Sequence, residues 1–205
     1  MKLYLVRHGQ TPSNVAKKLD TALPGPGLTD LGREQARQLA EKLATQPVRA
    51  VYASHATRAQ QTAAPLADAL DLAVEPVEGV HEVVVGDLEG RNDRAAIETY
   101  VSVVGRWTRG ELHAAMPGGE TGEQARQRFT TAVAAITERH AATRTEEVVV
   151  LVSHGGLMRL GAEWLAPNVR PELADQGLIP NTGVIELDRS ADGSWQCLTW
   201  AGIPM

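Results

Sequence analysis

One segment, Val148–Val152, constrains the fold more than any other part of the chain. It is an uninterrupted apolar run rich in β-branched side chains, and it is the strongest strand signal in the sequence. It leads directly into Ser153–Gly156 and then into a helical pattern from Leu157 to Leu165. The segment therefore predicts a strand that ends in a polar, glycine-containing loop.

Two further apolar runs, Leu3–Val6 and Ala50–Ala53, also predict strands, and a helical pattern follows each of them. The first helix has Thr29 as its N-cap. The second runs from Arg58 to Leu70, and we expect Pro65 to kink or restart it. The apolar face predicted for the first helix contains Leu31, Ala36, Leu39, Ala40 and Leu43.

The end of the chain predicts a β-hairpin, with strands at Thr182–Leu187 and Trp195–Trp200 and a turn at Asp192-Gly193. Elsewhere strands alternate with helices, which favours a three-layer α/β/α sandwich with a mostly parallel central sheet. No internal repeat or linker interrupts this alternation. We therefore interpret residues 1–205 as one α/β domain.

The segment 91–119 fits the alternation poorly. It is rich in arginine, contains Tyr100 and Trp107, and ends in Pro117-Gly118-Gly119. We interpret it as a helical insertion that lies like a lid over the mouth of a site. A solvated surface helix is an equally consistent interpretation.

Composition limits the partners of the chain. The net charge is −5 and the pI is about 5.7, which disfavours a nucleic-acid or anionic-membrane surface. The single cysteine, Cys197, excludes an intramolecular disulfide and a CxxC metal site, and its alternating surroundings predict a buried strand residue. The first apolar run is too short for a signal peptide and no later run could span a bilayer, so we expect a cytoplasmic protein.

Three predicted strands end in residues that bear reactive or charged groups. The first delivers Arg7-His8-Gly9, the second leads to Ser54 and Arg58, and the third delivers His154 with two glycines after it. Ligands of an open parallel sheet bind beyond the carboxyl ends of its strands. Two arginines and two histidines are therefore expected to converge there.

This set of groups suits phosphoryl transfer. Arginine donates two hydrogen bonds to a phosphate and keeps its charge. A neutral imidazole can attack phosphorus, and neighbouring cations keep it unprotonated. Glycines such as Gly155 allow backbone amides to approach the ligand closely.

The chain resembles the histidine phosphatase superfamily, also called phosphoglycerate mutase-like. The resemblance lies in an ordered set of motifs that spans most of the chain. They are Leu5–Thr11 with Asn14, Leu28–Gly32 with Gln35-Ala36, Ser54 with Arg58-Ala59 and Thr62-Ala63, Glu82 with Gly86–Gly90, Pro117–Thr121, and Ser153–Gly156. It implies the phosphoglycerate mutase-like fold for the sandwich predicted above.

The resemblance also implies a role for each matched residue. His8 would be the nucleophile that forms a phosphohistidine. Arg7, Arg58 and His154 would complete a phosphate pocket with the Gly155 amide.

Three further residues complete the implied site. Glu82 would protonate the leaving alkoxide and then accept a proton from the hydrolytic water. Asn14 would add a hydrogen bond to the phosphate, although a turn or capping role is an alternative. Glu120 would shape the site indirectly, through residues that contact the substrate. The run Val83–Val85 departs from the bulkier or more polar residues expected after the proton donor.

The other histidines have no role in the matched motifs. We expect most of them to be structural or exposed to solvent, although local substrate contacts stay open for the two that flank matched segments. They are His55, His81, His113 and His140.

These observations predict a metal-independent, cofactor-free phosphatase acting on a small phosphorylated metabolite. A phosphoglycerate mutase with the same histidine chemistry is the first alternative, and a non-catalytic phosphate-binding module is another. A metal-dependent hydrolase with His8, His154 and Glu82 as ligands is disfavoured because two arginines in the pocket would repel a cation. An edge strand of the sheet could pair two subunits into a homodimer.

Overall fold

The structure, a computed structural model, describes residues 1–140, 146–170 and 179–205. These residues form one sheet with helices packed against it. The strands are β1 (Lys2–Arg7), β2 (Val48–Ser54), β3 (Val74–Val77), β4 (Val148–Ser153), β5 (Val184–Arg189), β6 (Trp195–Trp200) and β7 (Ile203–Pro204). The helices are α1 (Pro12–Val15), α2 (Asp30–Leu43), α3 (Thr57–Ala69), α4 (Arg94–Thr108), α5 (Gly122–Arg139) and α6 (Gly155–Leu165), with a 3-10 turn at Gly86–Leu88.

The strands lie in the order β3-β2-β4-β1-β5-β6-β7. The first four run parallel to one another, whereas β5, β6 and β7 pair antiparallel. Strand β4, which is predicted by the sequence, lies between β2 and β1 and is buried along its whole length. The α/β class and the central sheet are confirmed. The sheet is mixed at one side because β5, β6 and β7 follow one another through short turns, which join only antiparallel strands.

Helices cover both faces of the sheet and bury two separate apolar cores. On one face α2 and α3 pack against the sheet, and on the other face α5 and α6 do so. The first core includes Val6, Leu39, Leu43, Leu66 and Val150. The second includes Leu5, Phe129, Ile136, Leu151 and Leu157. The arrangement is the predicted three-layer sandwich.

Helix α2 begins as predicted, because the Thr29 hydroxyl accepts a hydrogen bond from the Gly32 amide at 3.0 Å. The prediction was wrong for Leu31, which is exposed. The buried face continues from Ala36 back to Gly32, one helical turn earlier, and Leu31 lies beside that face and not on it.

Helix α3 continues through Pro65 as a single element, so the predicted restart is wrong. The proline removes one backbone hydrogen bond. The helix is nevertheless held against the sheet on both sides of the proline by Ala59, Ala63 and Leu66, and this packing outweighs the local loss.

The C-terminal hairpin is confirmed, with β5 and β6 joined by a turn in which Gly193 has a φ of 89°. Cys197 is buried in β6, as predicted. No helix in the described part of the chain is long and apolar enough to cross a membrane.

The segment 91–119 contains α4, which packs onto α6 through a third apolar cluster. Trp107 and Val104 of α4 are buried in this cluster, together with Val83, Val85 and Leu160. The valines that follow Glu82 therefore anchor its loop beneath α4. Because α4 packs on the body of the protein, it is not the solvated surface helix given above as the alternative for this segment.

Candidate active site

The carboxyl ends of β1, β2 and β4 meet at one edge of the sheet, since these strands are parallel neighbours. His8 follows β1, His154 follows β4, and Arg58 lies in the first turn of α3 just after β2. The rings of His8 and His154 are edge to face, with centroids 5.2 Å apart. The two histidines thus come together although 145 positions of sequence, from 8 to 154, separate them.

The ring of His8 is held in a defined orientation. Its Nδ1 lies 2.7 Å from the carbonyl oxygen of Gly9, and a carbonyl can only accept, so the proton resides on Nδ1. Nε2 is therefore the basic nitrogen. The Gly9 amide donates to Thr62 Oγ1 at 2.9 Å. No other side chain fits at position 9, because a Cβ there would lie 2.6 Å from the Gly32 carbonyl.

His8 is 95% buried, with only 5% of its surface exposed. Burial, followed by the charges of Arg58 and Arg7, lowers its pKa to about 3, although the hydrogen bond to Gly9 opposes the shift. A histidine with this pKa is neutral throughout the physiological range. It therefore presents an unprotonated Nε2.

His154 is fully buried beside Ser54. Its Nε2 lies 2.9 Å from the Ser54 hydroxyl, which itself accepts from the Ala56 amide at 3.3 Å. If the hydroxyl donates to Nε2, the proton of the neutral ring lies on Nδ1. That nitrogen has no hydrogen-bond partner among the described residues. Burial and the charge of Arg58 hold the pKa of His154 well below its ordinary value.

Two guanidinium groups flank the histidines. Arg58 is 2% exposed, and its Nη2 donates to the Asp20 carbonyl at 3.2 Å. Arg7 donates from Nη1 to the carbonyl of Ile179. Each group also carries a buried nitrogen, Nη1 of Arg58 and Nε of Arg7, without an acceptor in the described parts of the chain.

Each of the three residues that act on His8 by charge or ring contact has one buried donor without a hydrogen-bond acceptor: Arg7 Nε, His154 Nδ1 and Arg58 Nη1, which lies 3.9 Å from Asp20 Oδ1. Buried donors are almost always paired, and each unpaired one costs about 1–3 kcal/mol. Such donors, two of them cationic, are the partners that the oxygens of a phosphoryl group require.

The Glu82 carboxylate faces the start of α6. Its Oε2 accepts from the Gly156 amide at 2.9 Å, and its Oε1 accepts from the amides of Leu157 and Val83 at 2.8 Å. The positive end of the helix dipole also favours a carboxylate there. A Cβ at position 156 would lie 2.8 Å from Glu82 Oε1 and 2.6 Å from the Tyr100 hydroxyl. A side chain at position 156 would therefore displace Glu82 or Tyr100 from the observed arrangement.

The loop that carries Glu82 is clamped from below by Arg128 of α5. The guanidinium donates to the carbonyls of Gly79, His81 and Glu82 at 2.8, 2.7 and 3.2 Å. It also forms a two-pronged pair with the buried Glu120 carboxylate, at 2.6 and 2.9 Å. Glu120 Oε1 accepts in addition from the amide of Val84 at 2.8 Å.

Asn14 lies beside the histidine site within α1. Its Oδ1 accepts from the Thr11 amide at 3.1 Å, as part of a capping box, and from Asn181 Nδ2 at 3.1 Å. Asn181 also donates to the His8 carbonyl at 3.0 Å. The capping role left open by the sequence is thus observed, and Asn14 also borders the cavity described next.

A cavity of about 1170 Å³ opens over this site. Its floor includes Arg7, His8 and Arg58, and α4 forms one wall through Ile97 and Tyr100. The segment predicted as a lid-like insertion therefore lines the cavity, and its role as a lid stays a prediction. The four histidines expected to be structural or exposed do not line it.

Sequence reasoning missed several residues of the site. Arg159 lines the cavity from α6, and its spacing of three residues from Gly156 on a helix was an available signal. Tyr100 was noted only as part of the insertion. Arg128 and Asn181 carried no local signal, because their partners are distant in sequence.

Comparison with known proteins identifies the family. The protein-family model for the histidine phosphatase superfamily (branch 1) matches residues 3–202. The chain belongs to this superfamily. Its resemblance to the family, recognised from the ordered motifs, is thus confirmed.

Relatives of known sequence include both mutase-like and other proteins. The chain is 34% identical to the PE-PGRS family protein PE_PGRS11 of Mycobacterium tuberculosis (strain ATCC 25618 / H37Rv), over 98% of this chain and 36% of the relative. It therefore spans only about a third of that relative's length. It is 30% identical to phosphoglycerate mutase-like protein 4 of Arabidopsis thaliana, over 98% of this chain and 85% of the relative.

Solved structures of the superfamily match the fold closely and include phosphatases. A mycobacterial glucosyl-3-phosphoglycerate phosphatase in complex with VO3 has a TM-score of 0.80 and 27% identity, over 98% of both chains. The α-ribazole phosphatase of Shigella flexneri has a TM-score of 0.76 and 25% identity, over 100% of this chain and 99% of the other.

Proposed function

We propose that the chain is a phosphatase that hydrolyses small phosphomonoesters through a phosphohistidine on His8. The observation that carries the proposal is the buried, neutral His8 imidazole beside His154 and under the charges of Arg58 and Arg7. These three residues would bind the oxygens of a phosphoryl group. Superfamily membership and the phosphatases among its structural neighbours support the same chemistry.

In the first step His8 Nε2 attacks phosphorus, and the bond from phosphorus to the ester oxygen breaks. Arg7, Arg58 and His154 stabilise the charge on the equatorial oxygens. Glu82 gives a proton to the leaving oxygen, so the product is a neutral alcohol.

In the second step water attacks the phosphohistidine. The carboxylate of Glu82 accepts the proton of the water while the bond from phosphorus to Nε2 breaks. Inorganic phosphate leaves, His8 returns to its neutral form, and Glu82 is protonated again. The protein groups supply every proton and charge in this cycle, so the proposed mechanism requires no metal or cofactor.

The substrate is a phosphorylated metabolite with a sizeable leaving group. A phosphate alone would fill only a small part of the 1170 Å³ cavity. The named substrates of the structural neighbours, a glucosyl phosphoglycerate and α-ribazole phosphate, are also larger than a simple alkyl phosphate.

The decisive test is His8→Ala, assayed with p-nitrophenyl phosphate. We expect hydrolysis to fall to background while circular dichroism and the unfolding temperature stay close to those of the wild type. Turnover at the wild-type rate in a folded His8→Ala protein would overturn the mechanism. Unchanged wild-type activity in excess chelator is expected as well, and its loss with rescue by zinc would contradict metal independence.

A phosphoglycerate mutase activity is the second candidate, because a named relative is mutase-like. The two activities differ in the fate of the phosphohistidine. We expect the phosphoenzyme to be hydrolysed within the time of one turnover. A phosphoenzyme that survives for minutes in water and passes its phosphoryl group to phosphoglycerate would favour the mutase and contradict hydrolysis.

A further inference from the structure

Arg159 is a buried cation that the mechanism above does not use. It lies on α6, one helical turn after the glycines that contact Arg7 and Glu82, and only 9% of its surface is exposed. Side chains on a helix lean toward its N-terminus, which here faces the catalytic histidines. The guanidinium accordingly borders the same cavity as His8.

Among the described residues Arg159 has no ion pair within 4.0 Å, its charge acts on the Tyr100 hydroxyl, and its Nε is completely buried without a hydrogen-bond acceptor. The nearby Glu82 carboxylate is already engaged by the amides of Gly156 and Leu157. The other buried arginines differ in this respect, since Arg58 donates to Asp20 and Arg128 is fully engaged by carbonyls and Glu120. An unpaired buried cation is costly, so its retention requires a compensating partner.

Arg109 offers a useful contrast at the rim of the same cavity. Its side chain is 65% exposed and lies 4.0 Å from Glu111. It is a solvated surface arginine, whereas Arg159 is desolvated before any ligand arrives. A desolvated guanidinium binds an anion more strongly, because less water must be displaced.

We propose that Arg159 is a second anion subsite, which binds a carboxylate or a second phosphate on the leaving group of the substrate. This inference rests on the proposed function, and it assigns the substrate class. The reacting phosphate occupies the pocket of Arg7, Arg58 and His154, and the distal anion lies farther along α6. Apolar residues of α4, including Ile97 and Val101, contact the connecting part of the substrate.

The test compares esters that differ only in the distal group. One pair is 3-phosphoglycerate and glycerol 3-phosphate, which exchanges a carboxylate for a hydroxymethyl group. The other is propane-1,3-diyl bisphosphate and propyl phosphate. The measured quantity is the ratio of kcat/KM within each pair. In the wild type we expect the anionic member to be preferred in at least one pair, and that pair identifies the distal anion.

In Arg159→Met we expect this preference to fall about 10- to 100-fold, the effect of losing a hydrogen bond to a charged group. Arg159→Lys keeps the charge but loses the planar fork, so its preference is expected to be intermediate. Arg109→Met should change the preference less than threefold. An equal fall in Arg109→Met and Arg159→Met would overturn the proposal in favour of the general positive charge of the rim.

Binding to a His8→Ala background separates this proposal from the proposed function. If no ester is hydrolysed by the wild type, the catalytic proposal fails. Calorimetric titration of 3-phosphoglycerate and the bisphosphate into His8→Ala, with and without Arg159→Met, still reports on the subsite. Equal affinities in the two proteins for both ligands would overturn it.

A stability measurement excludes a purely structural role. Arg159→Met removes a buried charge that has no protein acceptor, so the unfolding temperature should be equal to or higher than that of the wild type. An unfolding temperature far below the wild-type value would overturn the assignment, since it would reveal a structural partner of Arg159.

Discussion

At the scale of single residues, the polar groups of the site differ in how completely they are hydrogen bonded within the protein. The carboxylate of Glu82 has three amide donors, whereas Arg7, Arg58 and His154 each keep a buried donor without an acceptor. Under the proposed function, the paired carboxylate is the group whose position is held, and the residues with unpaired donors bind the phosphate. The neutral ring of His8 lies beside Arg7, Arg58 and His154.

The role of Glu82 can be tested by Glu82→Gln, which keeps the size of the side chain but cannot transfer a proton. We expect kcat to fall by about 10²–10⁴ for alkyl phosphates, whose leaving oxygens need a proton, and much less for p-nitrophenyl phosphate. A plot of log kcat against leaving-group pKa should therefore become steeper. An equal loss for activated and unactivated esters would contradict the acid role.

At the scale of elements, the positions of the site residues come from strand ends and helix starts. Strands β1, β2 and β4 deliver His8, Arg58 and His154 to one edge of the sheet. The loop of Glu82 lacks such a scaffold and is held by Arg128 and Glu120 of a neighbouring segment. The clamp is thus part of what positions the Glu82 carboxylate, the proton donor in the proposed mechanism.

Arg128→Met should release this loop. It leaves the buried Glu120 carboxylate without its counter-ion, with only the Val84 amide as a donor, and it removes the donor to three carbonyls. We expect this to cost about 3–5 kcal/mol of stability. Arg128→Lys should cost less and allow assay of a folded protein. In that variant the dependence on the leaving group should steepen, as in Glu82→Gln, because the acid is less well placed.

Arg126→Met is the matched control, because Arg126 is exposed two residues earlier on α5. It should change stability by less than about 0.5 kcal/mol. A leaving-group dependence that stays at the wild-type value in Arg128→Lys would contradict the positioning role.

The sequence predicts the site residues at strand ends, but it does not predict the residues that hold the Glu82 loop or the Asn14 segment. His8 and His154 follow strongly apolar strands, so their convergence followed from local pattern and from the rule for parallel sheets. Arg128 and Asn181 were missed because their contacts are made between segments far apart in sequence. Leu31 was misplaced because a helix start shifts the apolar face by one residue, and Pro65 was misjudged because tertiary packing outweighs a local preference.

At the scale of the whole molecule, a negatively charged protein keeps a positively charged cleft. The net charge is −5, yet Arg7, Arg58 and Arg159 all border one cavity. Global charge therefore disfavours nonspecific binding to polyanions, while the local cluster selects a small anionic ligand. Keeping these cations and two neutral histidines buried makes the fold sensitive to acid.

That sensitivity gives a prediction with a defined sign. In the unfolded chain His8 titrates near its ordinary pKa of about 6.5, whereas in the folded protein its pKa is about 3. Between these values the unfolded state binds a proton that the native state does not, so stability falls as the pH is lowered from 6.5 toward 3. His154, whose pKa is also lowered, acts in the same direction.

Urea unfolding at pH 7 and pH 5 measures the effect. From His8 alone we expect the free energy of unfolding to decrease by about 2 kcal/mol over this interval. His8→Ala has no such proton to gain, so its own decrease should be smaller than that of the wild type by about the same amount. An identical pH dependence in the two proteins would mean that His8 accepts a proton as readily in the native state as in the unfolded chain, and it would contradict the neutral nucleophile.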